Sequence, residues 1–221
     1  MAVLAEERPE PSVAAEAGEE KDNRFEMLCG LMLALFAAVL AITDLGAGKY
    51  GDDELIAYNE KSGAYLWYQS KGIKETLVEG QRDTLQALVD AGSIRPEQLA
   101  GVQKTIAGLD AKATRYDKEK TEILLGSKTV GPDGWAQDVK GEMGKIVGAE
   151  EWQTTAESLG AAGDTFDTST FFLQLCLVAG AMSLILQMQR MRWSFFFGMV
   201  ALGVTGAVYS VLAFLQAGAI G

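Results

Sequence analysis

The chain alternates between long apolar runs and one long polar stretch. From Thr168 to Gln189, and again from Trp193 to the C-terminus, no residue carries a charge; only Arg190 and Arg192 interrupt the run. Each half is long enough to cross a bilayer as a helix, which takes roughly 20 apolar residues. The short gap Gln189-Arg190-Met191-Arg192 makes the two halves a helical hairpin. A third apolar run, FEMLCGLMLALFAAVLAIT, starts at Phe25 and is closed by Asp44. The pattern predicts transmembrane helices over residues 25–44, 169–189 and 193–216.

The polar stretch, residues 52–168, also reads as helix. Gly46, Gly48 and Gly51 are expected to end the first apolar helix, with Asp52 or Asp53 capping the next. From Glu54 to about Asp90, the residues Leu66, Ser70, Ile73, Leu77, Leu85 and Leu88 form a narrow apolar stripe at helical spacing. The stripe is too thin for a globular core and suits a coiled-coil-like partner. Lys71 and Glu75 form an oppositely charged pair four residues apart. A second helix over residues 95–126, through Leu99, Val102, Ile106, Leu109, Tyr116, Ile123 and Leu124, fits an antiparallel return. Gly131-Pro132-Asp133-Gly134 is a turn, and helical stretches are expected from Trp135 to Val147 and from Glu150 to Leu159. No strand-like alternation and no repeat is visible. The fold class is therefore an all-α membrane protein: three transmembrane helices, with a helical, partly coiled-coil-like extramembrane domain between the first and second.

Residues 1–22, rich in alanine, glutamate and proline, read as a disordered acidic tail that solubilises the chain or docks a partner. The apolar run that follows has no short basic start, so it reads as an uncleaved anchor rather than a secretory signal.

Composition narrows the chemistry. A net charge of −11 argues against nucleic acid, which selects a basic patch. The chain has no histidine, which removes the commonest general base and metal ligand. The two cysteines, Cys29 and Cys176, both lie in apolar runs. No catalytic constellation, cofactor motif or metal-ligand set is present, and no enzymatic activity is expected. Glu75/Glu79 and Glu119/Glu122 read as a solvated helix face, with a carboxylate metal site as the minor alternative. Tyr58, Tyr65, Trp67 and Tyr68 form an aromatic group suited to helix packing or to the membrane interface.

The order of parts carries a resemblance. Asn23-Arg24-Phe25 precedes the anchor; YNEKSGAYLWYQSKGIKETLVEGQRDTLQAL, RYDKEKTEIL and the hairpin around QRMRW follow. This resembles the bacterial membrane proteins of the domain of unknown function 4337 family over roughly residues 22–216. The Trp67–Lys71 and Asp117–Lys120 stretches are its most specific parts. The resemblance implies a membrane-anchored helical protein and brings no activity or catalytic residue.

The leading expectation is a non-enzymatic scaffold or accessory subunit, partnered by the lipid bilayer and by copies of itself or other membrane-complex subunits. An oligomeric channel, with Gln174 or Gln187 facing a lumen, is the alternative, and a membrane-bound enzyme comes third. Positive short loops stay cytoplasmic. Arg190 and Arg192, with Lys21 and Arg24, therefore place the N-terminus in the cytoplasm of a bacterial inner membrane, and the middle domain and Gly221 in the periplasm. That orientation separates Cys29 and Cys176 by roughly 15 Å in depth, so two free thiols are expected. Small residues let membrane helices approach closely. Gly30, Ala34 and Ala38 in the first span, Ala179 and Ser183 in the second, and Gly203, Gly206 and Ala207 in the third are the expected packing positions, with Leu33, Phe36 and Leu40 facing lipid or filling gaps.

Overall fold

A computed structural model describes residues 13–219, and about 87% of it is helical in five helices. The order is α1 (Val13–Asp90), α2 (Pro96–Leu125), α3 (Ser127–Val130), a 3-10 turn (Pro132–Gly134), β1 (Asp138–Val139), β2 (Glu142–Met143), α4 (Ala149–Ile185) and α5 (Gln189–Gly218). Three of these, α1, α4 and α5, are long and apolar enough to cross a membrane.

The helices run further than expected. α1 takes in residues 13–22 of the presumed acidic tail, while residues 1–12 of that tail, like Gly221, lie outside the described residues. It also runs unbroken through Gly46, Gly48 and Gly51. Glycine inside a helix costs about 1 kcal/mol against alanine, but Gly46 has a packing reason: a Cβ there would stand 2.4 Å from the Phe214 ring. α4 likewise continues through Gly160 to Thr168, where a lead-in was expected. The hairpin turn falls at residues 186–188, so Arg190 and Arg192 lie in the first turn of α5 rather than in a loop. The Met188 carbonyl accepts the Met191 and Arg192 amides there and starts the helix.

The helix expected over residues 135–147 is replaced by a small antiparallel hairpin, Asp138 opposite Met143 and Val139 opposite Glu142. Its two-residue turn places Lys140 at φ 55° and Gly141 at φ 87°, the left-handed pair that suits a tight hairpin. Gly144, at φ 76°, prevents a helix from resuming.

The described residues divide into two units, residues 13–50 with 161–219, and residues 51–160. In the first, Phe25, Cys29, Phe36, Leu173, Cys176, Phe196 and Met199 form one core cluster, and Ala162, Phe166, Ala213 and Ala217 form another. In the second, α2 returns antiparallel to α1: Lys71 meets Glu119, and Arg82 meets Asp110.

Candidate functional site

In the first unit, glycines receive large side chains from neighbouring helices. A Cβ on Gly203 would stand 2.5 Å from the Phe36 ring, one on Gly206 2.7 Å from Leu173, and one on Gly180 2.5 Å from Leu33. Gly203, Gly206 and Ser183 are buried, and Ala179 and Ala207 half-buried. The first span is reversed. Gly30, Ala34 and Ala38 are exposed, while Phe36 is only 3% exposed and Leu33 and Leu40 pack against the core. Spacing alone could not tell which side of α1 faces its neighbours; Leu33 and Phe36 of α1 fill the notches at Gly180 and Gly203, and Gly46 of α1 in turn receives Phe214.

Hydroxyls link these helices. Thr43 donates to the Val39 carbonyl, so the 2.8 Å contact between Thr43 and Ser210 has Ser210 as donor. Ser169 donates to the Gly206 carbonyl at 2.8 Å, and Ser183 to the Arg192 carbonyl at 3.0 Å. The Arg192 guanidinium lies over the Phe25 ring and 3.4 Å from Glu26, while Arg190 and Arg24 are exposed. Lys21 lies on α1, with its side chain outside the described residues. Both cysteines are free. The Cys29 thiol donates to the Gly180 carbonyl, one helical turn from Cys176. Their depths thus differ by roughly 6 Å, not 15 Å; the hairpin turns about three residues early, which accounts for roughly half of the difference.

The second unit is held by charges placed inside it. Glu119 and Glu122, expected on a solvated face, are 1% and 0% exposed. Glu119 accepts from Lys71 of α1 and from Arg115 of its own helix, and Lys120 reaches Glu75. The expected Lys71–Glu75 pair is therefore exchanged for two pairs between helices. Burial alone would raise the Glu119 carboxyl; hydrogen bonds and charges from Lys71 and Arg115 outweigh it and hold the group below its ordinary 4.5. The hydrogen bond to Glu75 outweighs burial and raises Lys120 above its ordinary 10.5. A lowered acid stabilises the fold above its ordinary value, and that contribution is lost as pH falls through the lowered one. A raised base stabilises below 10.5 and loses the effect as pH rises through the raised value. Melting temperature should therefore fall on both arms, and Glu119→Gln should flatten the acid arm in circular-dichroism melts between about pH 3 and 7. An unchanged acid arm would mean that Glu119 contributes nothing there.

Glu122 closes the loop between α2 and α4. Its carboxylate accepts from the Ser127 hydroxyl at 2.7 Å and from the Ala136 and Gln137 amides at 2.8 Å. Ser127 in turn accepts the Ile146 amide on its hydroxyl and donates its own amide to the Ile146 carbonyl. Gly148 brings backbone against backbone: a Cβ there would lie 2.2 Å from the Gly126 nitrogen. Trp135 donates to the Ser127 carbonyl at 2.9 Å.

The aromatic group is dispersed. Tyr65 donates to Gln153 at 3.4 Å and Tyr68 lies under Lys120, whereas Tyr58 and Trp67 are 40% and 37% exposed.

The expected apolar stripe of α1 lies mostly on the outside, with Leu85 half-buried and its other members exposed. Leu66, Ile73 and Leu77 are 67%, 71% and 61% exposed. Ser70, Gly80 and Thr84 continue the same line, each three or four residues on. Beside it an open groove of 1180 Å³ runs between α1 and α2, lined among others by Ile73, Leu77, Leu85, Thr105 and Leu109. The apolar stripe of α2 does face inward, with Leu99, Val102, Ile106 and Leu109 half-buried and Ile123 buried.

Fold and surfaces together define a mainly helical protein with three helices long and apolar enough to cross a membrane and an apolar seam along a polar helix pair. The chain belongs to the domain of unknown function 4337 family (DUF4337), whose model matches residues 25–216. No curated protein and no solved structure matches it.

Proposed function

We propose that this chain is a non-enzymatic, membrane-anchored assembly protein, a scaffold or accessory subunit that joins copies of itself or the subunits of a larger complex. Three spans hold it in a bacterial inner membrane, with Arg24, Arg190 and Arg192 on the cytoplasmic side and residues 51–160 on the other. The α1 seam is its contact surface, packing helix on helix in coiled-coil fashion.

The observation that carries this reading is the line Leu66–Ile73–Leu77, largely exposed beside an open groove. Burying a leucine or isoleucine gains about 1.5–3 kcal/mol, so a partner helix laid along the seam recovers several times that. Exposed apolar lines rimmed by polar residues mark contact sites, and α1 and α2 offer the two walls that helix-in-groove recognition uses.

Ile73→Glu combined with Leu77→Glu should lower the assembled fraction in mild detergent at least about tenfold, since two charges would enter a desolvated contact. Helix content should be unchanged, because both side chains face outward. Assembly equal to wild type, read by mass photometry, would remove the seam as the contact surface.

A further inference from the structure

Along the span part of α4, the outward ridge reads Phe171, Gln174, Val178, Ala181 and Ile185, all exposed. Four of the five suit lipid. Gln174 does not: it lies seven residues beyond Asp167, roughly 10 Å along the helix from the last acidic group. Among the described residues its amide has no hydrogen-bond partner. Ser183, the other hydroxyl or amide side chain between Phe171 and Ile185, is bonded inside the unit. In hydrocarbon no water can satisfy such an amide, so its partner must come from another membrane-embedded helix.

We propose that Gln174 is the centre of a contact in which α4 of this chain packs against α4 of a second copy. The inference rests on the assembly reading above and names its partner within the membrane. Copies of one chain insert with the same orientation, so their α4 helices are parallel and each residue meets its counterpart at the same depth about a two-fold axis. A carboxamide is self-complementary, since its NH2 donates and its carbonyl accepts. Two Gln174 side chains can satisfy each other reciprocally, which no purely apolar neighbour can do. The ridge advances by alternate steps of three and four residues, the spacing at which parallel helices stay in register along a left-handed crossing. Ala181, two turns from Gln174, leaves room for close approach.

Disulfide trapping in native membranes tests this. Single cysteines are placed at Gln174, Val178 and Ala181, and as lipid-facing controls at Val204 and Val208 of α5, which are 52% and 53% exposed. Wild type, whose two thiols are enclosed, supplies the baseline. Oxidation should trap covalent dimers at Gln174→Cys and Val178→Cys and leave Val204→Cys and Val208→Cys at baseline. Gln174→Leu should weaken association in liposomes, read by energy transfer between labelled copies, by roughly fivefold to twentyfold, and Gln174→Asn should restore most of it. Gln174 faces away from the rest of its own chain, so Gln174→Leu leaves the fold unaffected.

Trapping at Gln174→Cys no stronger than at the controls, or association of Gln174→Leu equal to wild type, would overturn the proposal. So would rapid labelling of Gln174→Cys by a charged, membrane-impermeant thiol reagent, which would mark a water-filled lumen. If Ile73→Glu with Leu77→Glu abolishes the larger assembly while trapping at Gln174→Cys persists, this contact stands and the α1 seam is a separate one. If trapping fails while assembly still depends on Ile73 and Leu77, only the membrane contact is lost.

Discussion

Glu122→Ala should open the loop between residues 126 and 148 without touching the apolar cores of the first unit. The substitution leaves the Ser127 hydroxyl and the Ala136 and Gln137 amides without their acceptor. A polar group stranded by loss of its partner costs about 1–3 kcal/mol, and solvent reaches part of this loop, so the sum is about 3–5 kcal/mol. Lys128, Lys140 and Lys145 are exposed in or beside the loop. Tryptic cleavage there tracks the population of the opened form when reclosing is fast. At 1.4 kcal/mol per decade, the rate should rise by at least about a hundredfold. Glu122→Gln keeps one acceptor oxygen and should fall between the two. Cleavage of Glu122→Ala at the wild-type rate would show that the carboxylate does not hold the loop.

Gly203→Leu should separate the apolar helices. The Phe36 ring occupies the space a Cβ at residue 203 would need, at 2.5 Å. Phe36 is enclosed on its other sides, so α1 and α5 must move apart. Overpacking of a filled core costs about 1–3 kcal/mol, and a leucine at a ring contact belongs at the upper end. The bonds nearby, Ser210 to Thr43 and Ser169 to the Gly206 carbonyl, depend on the same close approach. Ala34→Leu is the control: it places a leucine on the exposed side of α1 and should leave the fold intact. Unfolding in increasing dodecyl sulfate, followed by circular dichroism, compares the two. Equal midpoints for Gly203→Leu and Ala34→Leu would contradict the packing described.

The apolar pattern was sufficient to locate the three long helices, because uninterrupted runs such as that from Thr168 to Gln189 have one reading at their length. The inward stripe of α2 was legible for a similar reason: Leu99, Val102, Ile106 and Leu109 share one face and are the best apolar residues on it. α1 is harder to read: its contact face mixes Ala57, Ala64, Lys71, Glu75 and Arg82 with Val78, Leu85 and Val89, while Leu66, Ile73 and Leu77 point away. Apolar periodicity marks the face that prefers to be buried, and on a helix with two partners that need not be the face buried within the chain. Glu119 and Glu122 looked solvated because carboxylates usually are; the basic partners of Glu119 include Lys71, remote in sequence, and the donors to Glu122 include two backbone amides. A helical glutamate just before Gly126-Ser127 was the one local hint of a loop clamp. Propensity alone makes the glycines of α1 breaks; at Gly46 the rings that fill the notch outweigh it.

If this chain works as part of an assembly, the mass of the particle it forms will show it. The wild-type chain should be released from its native membrane under mild detergent and weighed by native mass spectrometry. Particles containing two or more copies of the 23.7 kDa chain, alone or with further subunits, should be found and should persist on dilution. A single 23.7 kDa chain at every concentration, with no other polypeptide attached, would contradict it.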